Sequence, residues 1–309
     1  ELLTVPELSA ELDWTSLMAG RVHLRRVQVE GPYVDLVTDD DGLMLLSRMF
    51  GGTTEVDPDP EPWAGLPVPI RLSDLSVHGL ELRMGGPEGT STRVVGLDLG
   101  GRVEGEGTTI ELHDVRAGAL LDLPGPLPIH ATLAHLAYRN GDVEVEELAV
   151  QLPGTELSLN GEVGDELDLE LMVPSLHLDP LDPVAGDAGI TGHLEGSARV
   201  LGSWSDLRCI VTMDGQDGQG GLRLRLGADL TAEETTWSVE GELHELAAHR
   251  LVRSLEEGEP IVIDGDLTLG GQGTGWPVGL VGEGRFRGGE QALGGVGLSS
   301  LDLGVSVEE

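Results

Sequence analysis

Residues 13–50, DWTSLMAGRVHLRRVQVEGPYVDLVTDDDGLMLLSRMF, contain a strand held between two short apolar turns. Thr15 or Ser16 is placed to cap a helical turn over Leu17 and Met18, and Gly20 to end it. Val22, Leu24, Val27 and Val29 give an extended segment, which continues past a Gly31–Pro32 break into Tyr33, Val34, Leu36 and Thr38. Asp39-Asp40-Asp41-Gly42 turns the chain, and Leu43 to Leu46 form a second short apolar helix. None of these residues is of a catalytic pattern. What matters is the order of the pieces, with the strand as the first rung of a sheet and the helices closing its end.

Outward from that stretch, residues 51–69 are rich in proline and acid, without periodicity, and read as a loop. From Ile70 the dominant spacing is two. It is clearest in Leu167, Leu169, Leu171 and Val173, which alternate with acids, and in Leu222, Leu224 and Leu226, which alternate with arginines. Each such run is a strand with one apolar and one solvated face. Turn signals at Asn140-Gly141, Pro153-Gly154 and Gly164-Asp165 separate the runs. On the order of 20 strands follow one another, which predicts an antiparallel meander or a solenoid. A long sheet cannot leave one apolar face in water, so it must curl, pair with another sheet, or hold something.

An apolar-x-Gly-x-apolar core recurs at Leu99–Val103, Leu159–Val163, Ile190–Leu194, Val239–Leu243 and Ile263–Leu267. The cores at Gly192 and Gly265 each precede a tryptophan, Trp204 and Trp276, which reads as an internal repeat. Mid-strand glycine marks a bulge or a close approach of backbones. Leu243, Leu246, Ala247, Leu251 and Leu255 fall at helical spacing, so a short helix is expected over 243–257. Leu178 to Val184 resembles it more weakly.

Composition narrows the function. Net charge is −37 and all 18 basic residues are arginine, a balance that repels nucleic acid. Without lysine there is no Schiff base and no phosphate-loop lysine. The single Cys209 rules out an internal disulfide and a cysteine-rich zinc site. Aromatic residues make up only 3%, so the core must be aliphatic. There is no apolar run of transmembrane length and no signal peptide, and the start at Glu1 suggests a piece of a longer protein. The nine histidines show no HExxH or comparable spacing, and no nucleophile elbow or Walker loop is present. The acidic Gly-rich segments 39–42 and 214–220 read as turns before calcium loops. The expectation is therefore a non-enzyme with no cofactor and no metal.

Leu17, Gly20, Val22, Leu24, Val27, Val29, Pro32, Val34, Leu36, Asp41 and Gly42 together follow a pattern that resembles the amino-terminal signature of the AsmA-like superfamily, its TamB branch in particular. The later segments Gly202–Leu207 and Leu246–Leu267 are similar to that branch's repeats. The resemblance implies an all-β fold with minor α: a long curled, mostly antiparallel β-sheet, a taco-like groove, with short capping helices. It implies a periplasmic segment held at the inner membrane of a Gram-negative envelope by an anchor outside this chain. The groove would carry phospholipid acyl chains between inner and outer membranes, with an outer-membrane barrel protein engaged through a missing carboxy-terminal part.

On that reading residues 1–50 are the cap and first strands, 51–69 a loop, 70–184 the first part of the groove and 185–309 its repeat units. The groove lining is assigned to Leu97, Leu99, Leu157, Leu159, Leu167, Leu169, Leu171, Leu222, Leu224, Leu226, Ile263, Leu267 and Leu269. Two other readings use the same alternation: a scaffold for outer-membrane protein assembly, and an extracellular structural or adhesive β-solenoid with calcium in its acidic turns.

Overall fold

The computed structural model describes residues 3–37, 65–85, 91–122, 126–182, 189–215, 220–231, 235–251, 261–273, 280–288, 291–293, 296–298 and 301–307. The turn at 39–42, the helix at 43–46, the calcium-loop candidate beyond Gly215, Trp276 and most of the 51–69 loop lie outside the described residues. The protein is all-β with minor α, and its strand pairing is mostly antiparallel. It divides into two compact units, Glu1–Pro153 and Gly154–Glu309. No helix among the described residues is long and apolar enough to cross a membrane.

The first unit contains β1 (Leu3–Thr4), β2 (Glu7–Leu12), α1 (Trp14–Met18), β3 (Val22–Glu30), β4 (Tyr33–Val37), β5 (Leu66–Gly85), β6 (Ser91–Gly107), β7 (Thr109–Asp122), β8 (Pro126–Arg139) and β9 (Asp142–Leu152). From β5 to β9 each strand pairs antiparallel with the next. On the other side of β5, β3 and β4 add in parallel, and β2 and β1 pair antiparallel with β3 and β4 in turn. Val22 to Glu30 run beside Ile70 to His78, and Tyr33 to Val37 beside Glu81 to Gly85. The opening stretch is thus paired to the segment that starts at Ile70, as expected, but with the opposite sense to the rest of the meander. A parallel pair needs a connection of a dozen or more residues, and the stretch between Val37 and Leu66 supplies that length.

The Gly31–Pro32 break has a counterpart on β5. Gly31 and Gly79 both take left-handed backbone angles, φ +57° and +64°, which glycine adopts without steric cost. The Gly31 N–H donates to His78 O at 2.8 Å, and Glu81 N–H donates to Pro32 O at 2.9 Å, so the ladder closes across the break.

Three local expectations are corrected. The cap of α1 is Asp13 instead of Thr15 or Ser16. Asp13 Oδ1 accepts from Thr15 N at 3.1 Å and from Thr15 Oγ1 at 2.7 Å, and Oδ2 accepts from Ser16 Oγ at 3.2 Å, so the hydroxyls serve the cap as donors. The expected loop to residue 69 ends early, because β5 already begins at Leu66. Its Pro67 and Pro69 lie before β3 comes alongside at Ile70 and within a register shift against β6, where a missing N–H is tolerated. The third correction falls in the second unit.

That unit contains β10 (Thr155–Val163), β11 (Glu166–His177), a 3-10 turn (Asp179–Leu181), β12 (His193–Ser203), β13 (Leu207–Gly215), β14 (Gly221–Asp229), β15 (Thr235–Ala247), α2 (Ala248–Leu251), β16 (Val262–Gly273), β17 (Leu280–Gly288), β18 (Gln291–Leu293), β19 (Val296–Leu298) and β20 (Leu301–Val307). β10 to β17 pair in sequence order, all antiparallel, and β20 returns beside β17. The helix expected over 243–257 is strand as far as Ala247, and only Ala248–Leu251 is helical among the described residues. Leu243 faces Gly265 and Leu246 faces Ile263 across a register shift, with Glu245 at φ +46° between them. A bulge spaces two inward side chains three residues apart, the same spacing as one helical turn. The two repeat cores are also not equivalent: Gly265 lies inside β16, whereas Gly192 precedes β12.

Candidate functional site

In an antiparallel ladder, directly opposed residues share a face. Tracing opposed pairs through the second unit gives Leu159, Leu171, Ala198, Val211, Leu224, Gly241 and Leu267 in one row from β10 to β16. A parallel row runs through Gly161, Leu169, Val200, Cys209, Leu226, Val239 and Leu269. Leu167 lies between Val163 and Gly202, and Leu222 lies between Met213 and Leu243. Ile263 shares this face by alternation along β16, and Leu157 sits at the register shift of β10. The first unit has its own apolar face. There Leu99 lies between Val77 and Ala117, and Leu97 opposes Leu80. All thirteen expected lining residues are therefore on β-strands, two in the first unit and eleven in the second.

In the second unit the two faces of the sheet differ in shelter. Leu167 and Val173 are 7% and 5% exposed on the apolar face, whereas Met172 and Ile210, on the polar face of the same sheet, are 41% and 37% exposed. Apart from buried Leu167, the assigned residues of this face are half-buried. Glycine helps bring the strands together. Gly161 has φ +135°, and a Cβ there would collide with the Asp168 carbonyl oxygen of β11. Cys209 also lies on this face, and burial pushes its thiol pKa up. The Trp237 indole opposes Ala228 and Gly271, and its Nε1 is buried without a hydrogen-bond partner.

The polar face carries the charge. Arg223 and Arg225 oppose Glu242 and Glu240, and Arg199 makes a forked pair with Asp168 at 3.1–3.2 Å. One cavity of about 750 Å³ belongs to the first unit and is lined by Arg21, His23, Arg71, Glu104, Glu106 and Glu111 among others.

Next to that cavity is a cluster that the sequence reading passed over. Glu111 and His113 share a face of β7, His135 opposes His113 from β8, and Glu146 opposes His135 from β9. His113 Nε2 is 3.5 Å and His135 Nε2 3.9 Å from Glu111 Oε2. Arg139 donates to Glu111 Oε1 at 3.0 Å, and this hydrogen bond holds the Glu111 carboxyl below the ordinary 4.5. The local signal was the Glu-x-His spacing of residues 111–113, which puts both side chains on one strand face. The partner histidine lies 22 residues on, and only the strand pairing brings it there.

Family models, curated proteins and solved structures were compared with the chain, and none matches.

Proposed function

We infer that the apolar sheet face binds the acyl chains of phospholipid and that the chain is a non-enzymatic segment of a lipid-transfer protein. The observation that carries this reading is the pair of unbroken apolar rows from β10 to β16, sheltered relative to the opposite face. Seven strands at about 4.8 Å spacing make a row of about 29 Å. One leaflet of a ~30 Å bilayer core corresponds to about 15 Å of acyl chain, so a row accommodates a full chain with length to spare. Each methylene taken from water contributes about 0.8 kcal/mol without directional contacts. An aliphatic face with no convergent polar groups suits a cargo that must slide. The unpartnered Trp237 Nε1 would be satisfied by an ester carbonyl of such a lipid.

The resemblance of residues 13–50 to the AsmA-like superfamily supports the cellular setting. On that basis the segment works in the periplasm, tethered to the inner membrane by a part outside this chain, in passing phospholipid toward the outer membrane.

The test is lipid extraction and mass spectrometry on the folded, purified chain. Co-purified phospholipid is expected, and Leu224→Asp is expected to lose it while circular dichroism remains unchanged. Ile210→Asp, on the polar face, keeps the lipid. A folded wild type that carries no phospholipid and takes none from vesicles sinks the reading.

A further inference from the structure

We propose that Glu111, His113 and His135 bind one divalent transition-metal ion of the zinc class on the polar face of the first unit. The site is independent of the apolar faces. Its three candidate ligand atoms all lie within 4.8 Å of one another. Two imidazole nitrogens and a carboxylate oxygen form a donor set suited to zinc and its neighbours, whereas calcium and magnesium take oxygen. Zinc–nitrogen bonds of about 2.0–2.1 Å set tetrahedral ligand atoms about 3.3 Å apart. The observed 3.5 and 3.9 Å separations approach that spacing. The two imidazole nitrogens lie within 4.8 Å of each other, and side-chain rotation on binding would bring them in.

The surroundings prepare the ligands. His135 Nδ1 is 3.5 Å from Glu146 Oε2, which favours the proton on Nδ1 and leaves the Nε2 lone pair facing Glu111. That Nε2 is buried and has no hydrogen-bond partner. An ion would satisfy it. The two imidazole rings stack, with centroids 4.8 Å apart and planes 18° apart. Arg139 occupies Glu111 Oε1 and Glu144, and so leaves Oε2 turned to the histidines. Ala137, 1% exposed, opposes both Glu111 and Glu144 and is covered beside the site. The ligand side chains are 17–29% exposed, which gives an ion a way in from solvent.

A chain with net charge −37 attracts cations everywhere, so the test must separate nitrogen ligation from surface carboxylates. The metal-stripped 309-residue chain is titrated with Zn²⁺ by calorimetry in millimolar Ca²⁺, and with Co²⁺ by visible absorption. One calcium-resistant ion per chain is expected, with a Co²⁺ band typical of nitrogen ligands. His113→Gln and His135→Gln are each expected to weaken it by more than about 100-fold, and Glu146→Gln by about 10-fold with unchanged stoichiometry. His244→Gln, at an exposed position in the second unit, changes nothing. Absence of calcium-resistant binding overturns the site, as do histidine variants that bind as tightly as the wild type. If a ligand variant fails to fold, Glu146→Gln decides: unchanged affinity counts against the site.

Discussion

The ladder between β5 and β6 loses register four times, whereas the one between β13 and β14 never does. The sequence differs in the same way. Leu222, Leu224 and Leu226 alternate strictly, but on β5 the apolar spacing widens to three between Leu72 and Leu75 and again between Val77 and Leu80. Each widening coincides with a shift. A 20-residue strand cannot stay in register as easily as a nine-residue one, and bulges bend it and add twist while returning the apolar side chains to one face. Backbone irregularities also mark where special side chains collect. Asp114 and Glu147, at φ +52° and +51°, adjoin the strand positions of His113 and Glu146. The regular ladder carries repeated charge pairs, and the irregular sheet carries the His–Glu cluster.

The strongest way to break this comparison is insertion. One glycine inserted after Arg225 moves Leu226 and its successors to the wrong face of β14, with an expected loss on the order of 4 kcal/mol in urea melts. The same insertion after Ser73, inside an existing bulge, is expected to cost less than about 2 kcal/mol. Equal costs mean that the bulges absorb nothing. Glycine replacement comes next. Gly161→Val combines an unfavourable φ with a backbone collision and is expected to lose about 3 kcal/mol. Gly79→Val, where a Cβ meets nothing within 4 Å, is expected to lose only about 1 kcal/mol, from φ alone. Leu224→Asp follows at about 1–2 kcal/mol because its site is half-buried, against about 0.5 kcal/mol for Ile210→Asp. Thermal melts that rank these two the other way reverse the assignment of the faces.

A smaller effect should appear in acid. The Glu111 carboxyl is held below the ordinary 4.5 chiefly by the Arg139 hydrogen bond. Its contribution is therefore complete above that value and fades as pH falls through the lowered one. In metal-free buffer the melting-temperature gap between wild type and Glu111→Gln is expected to be widest near neutrality and to close on acidification. A gap independent of pH removes the charge from the explanation. The least effect is expected from Arg199→Gln. This forked but exposed pair with Asp168 in the regular sheet should leave the melting temperature within about a degree.

Much of the fold was legible because β-alternation is a local signal. The Asn140-Gly141 turn, with both residues at positive φ, sits where it was expected between β8 and β9, and the Gly31–Pro32 interruption separates β3 from β4. What escaped was non-local or ambiguous. Leu243 and Leu246 are spaced three apart by a bulge, and their sequence alone cannot separate that from a helical turn. The cap of α1 was misplaced because Asp, Thr and Ser all suit the position, and only the hydrogen bonds rank them. The direction of β3 against β5 depends on how the connection returns, which has no signature in either strand. His113 and His135 meet through strand register alone, so listing histidines by their spacing could not pair them.

The parallel edge also bears on the order of folding. Asp214 meets Gly221 seven residues on, but Val22 meets Ile70 only after 48. Closing the longer loop costs about 1.7 kcal/mol more in chain entropy. The hairpins from β5 onward can zip locally, while β3 must wait for β5 to exist. In synthesis from the amino terminus, the β2–β3 hairpin is made before β5, the strand that joins it to the meander. Until then β3 holds β2 on one side and keeps its other edge open, and a chaperone that shields that edge would have the most to do before residue 78 has emerged.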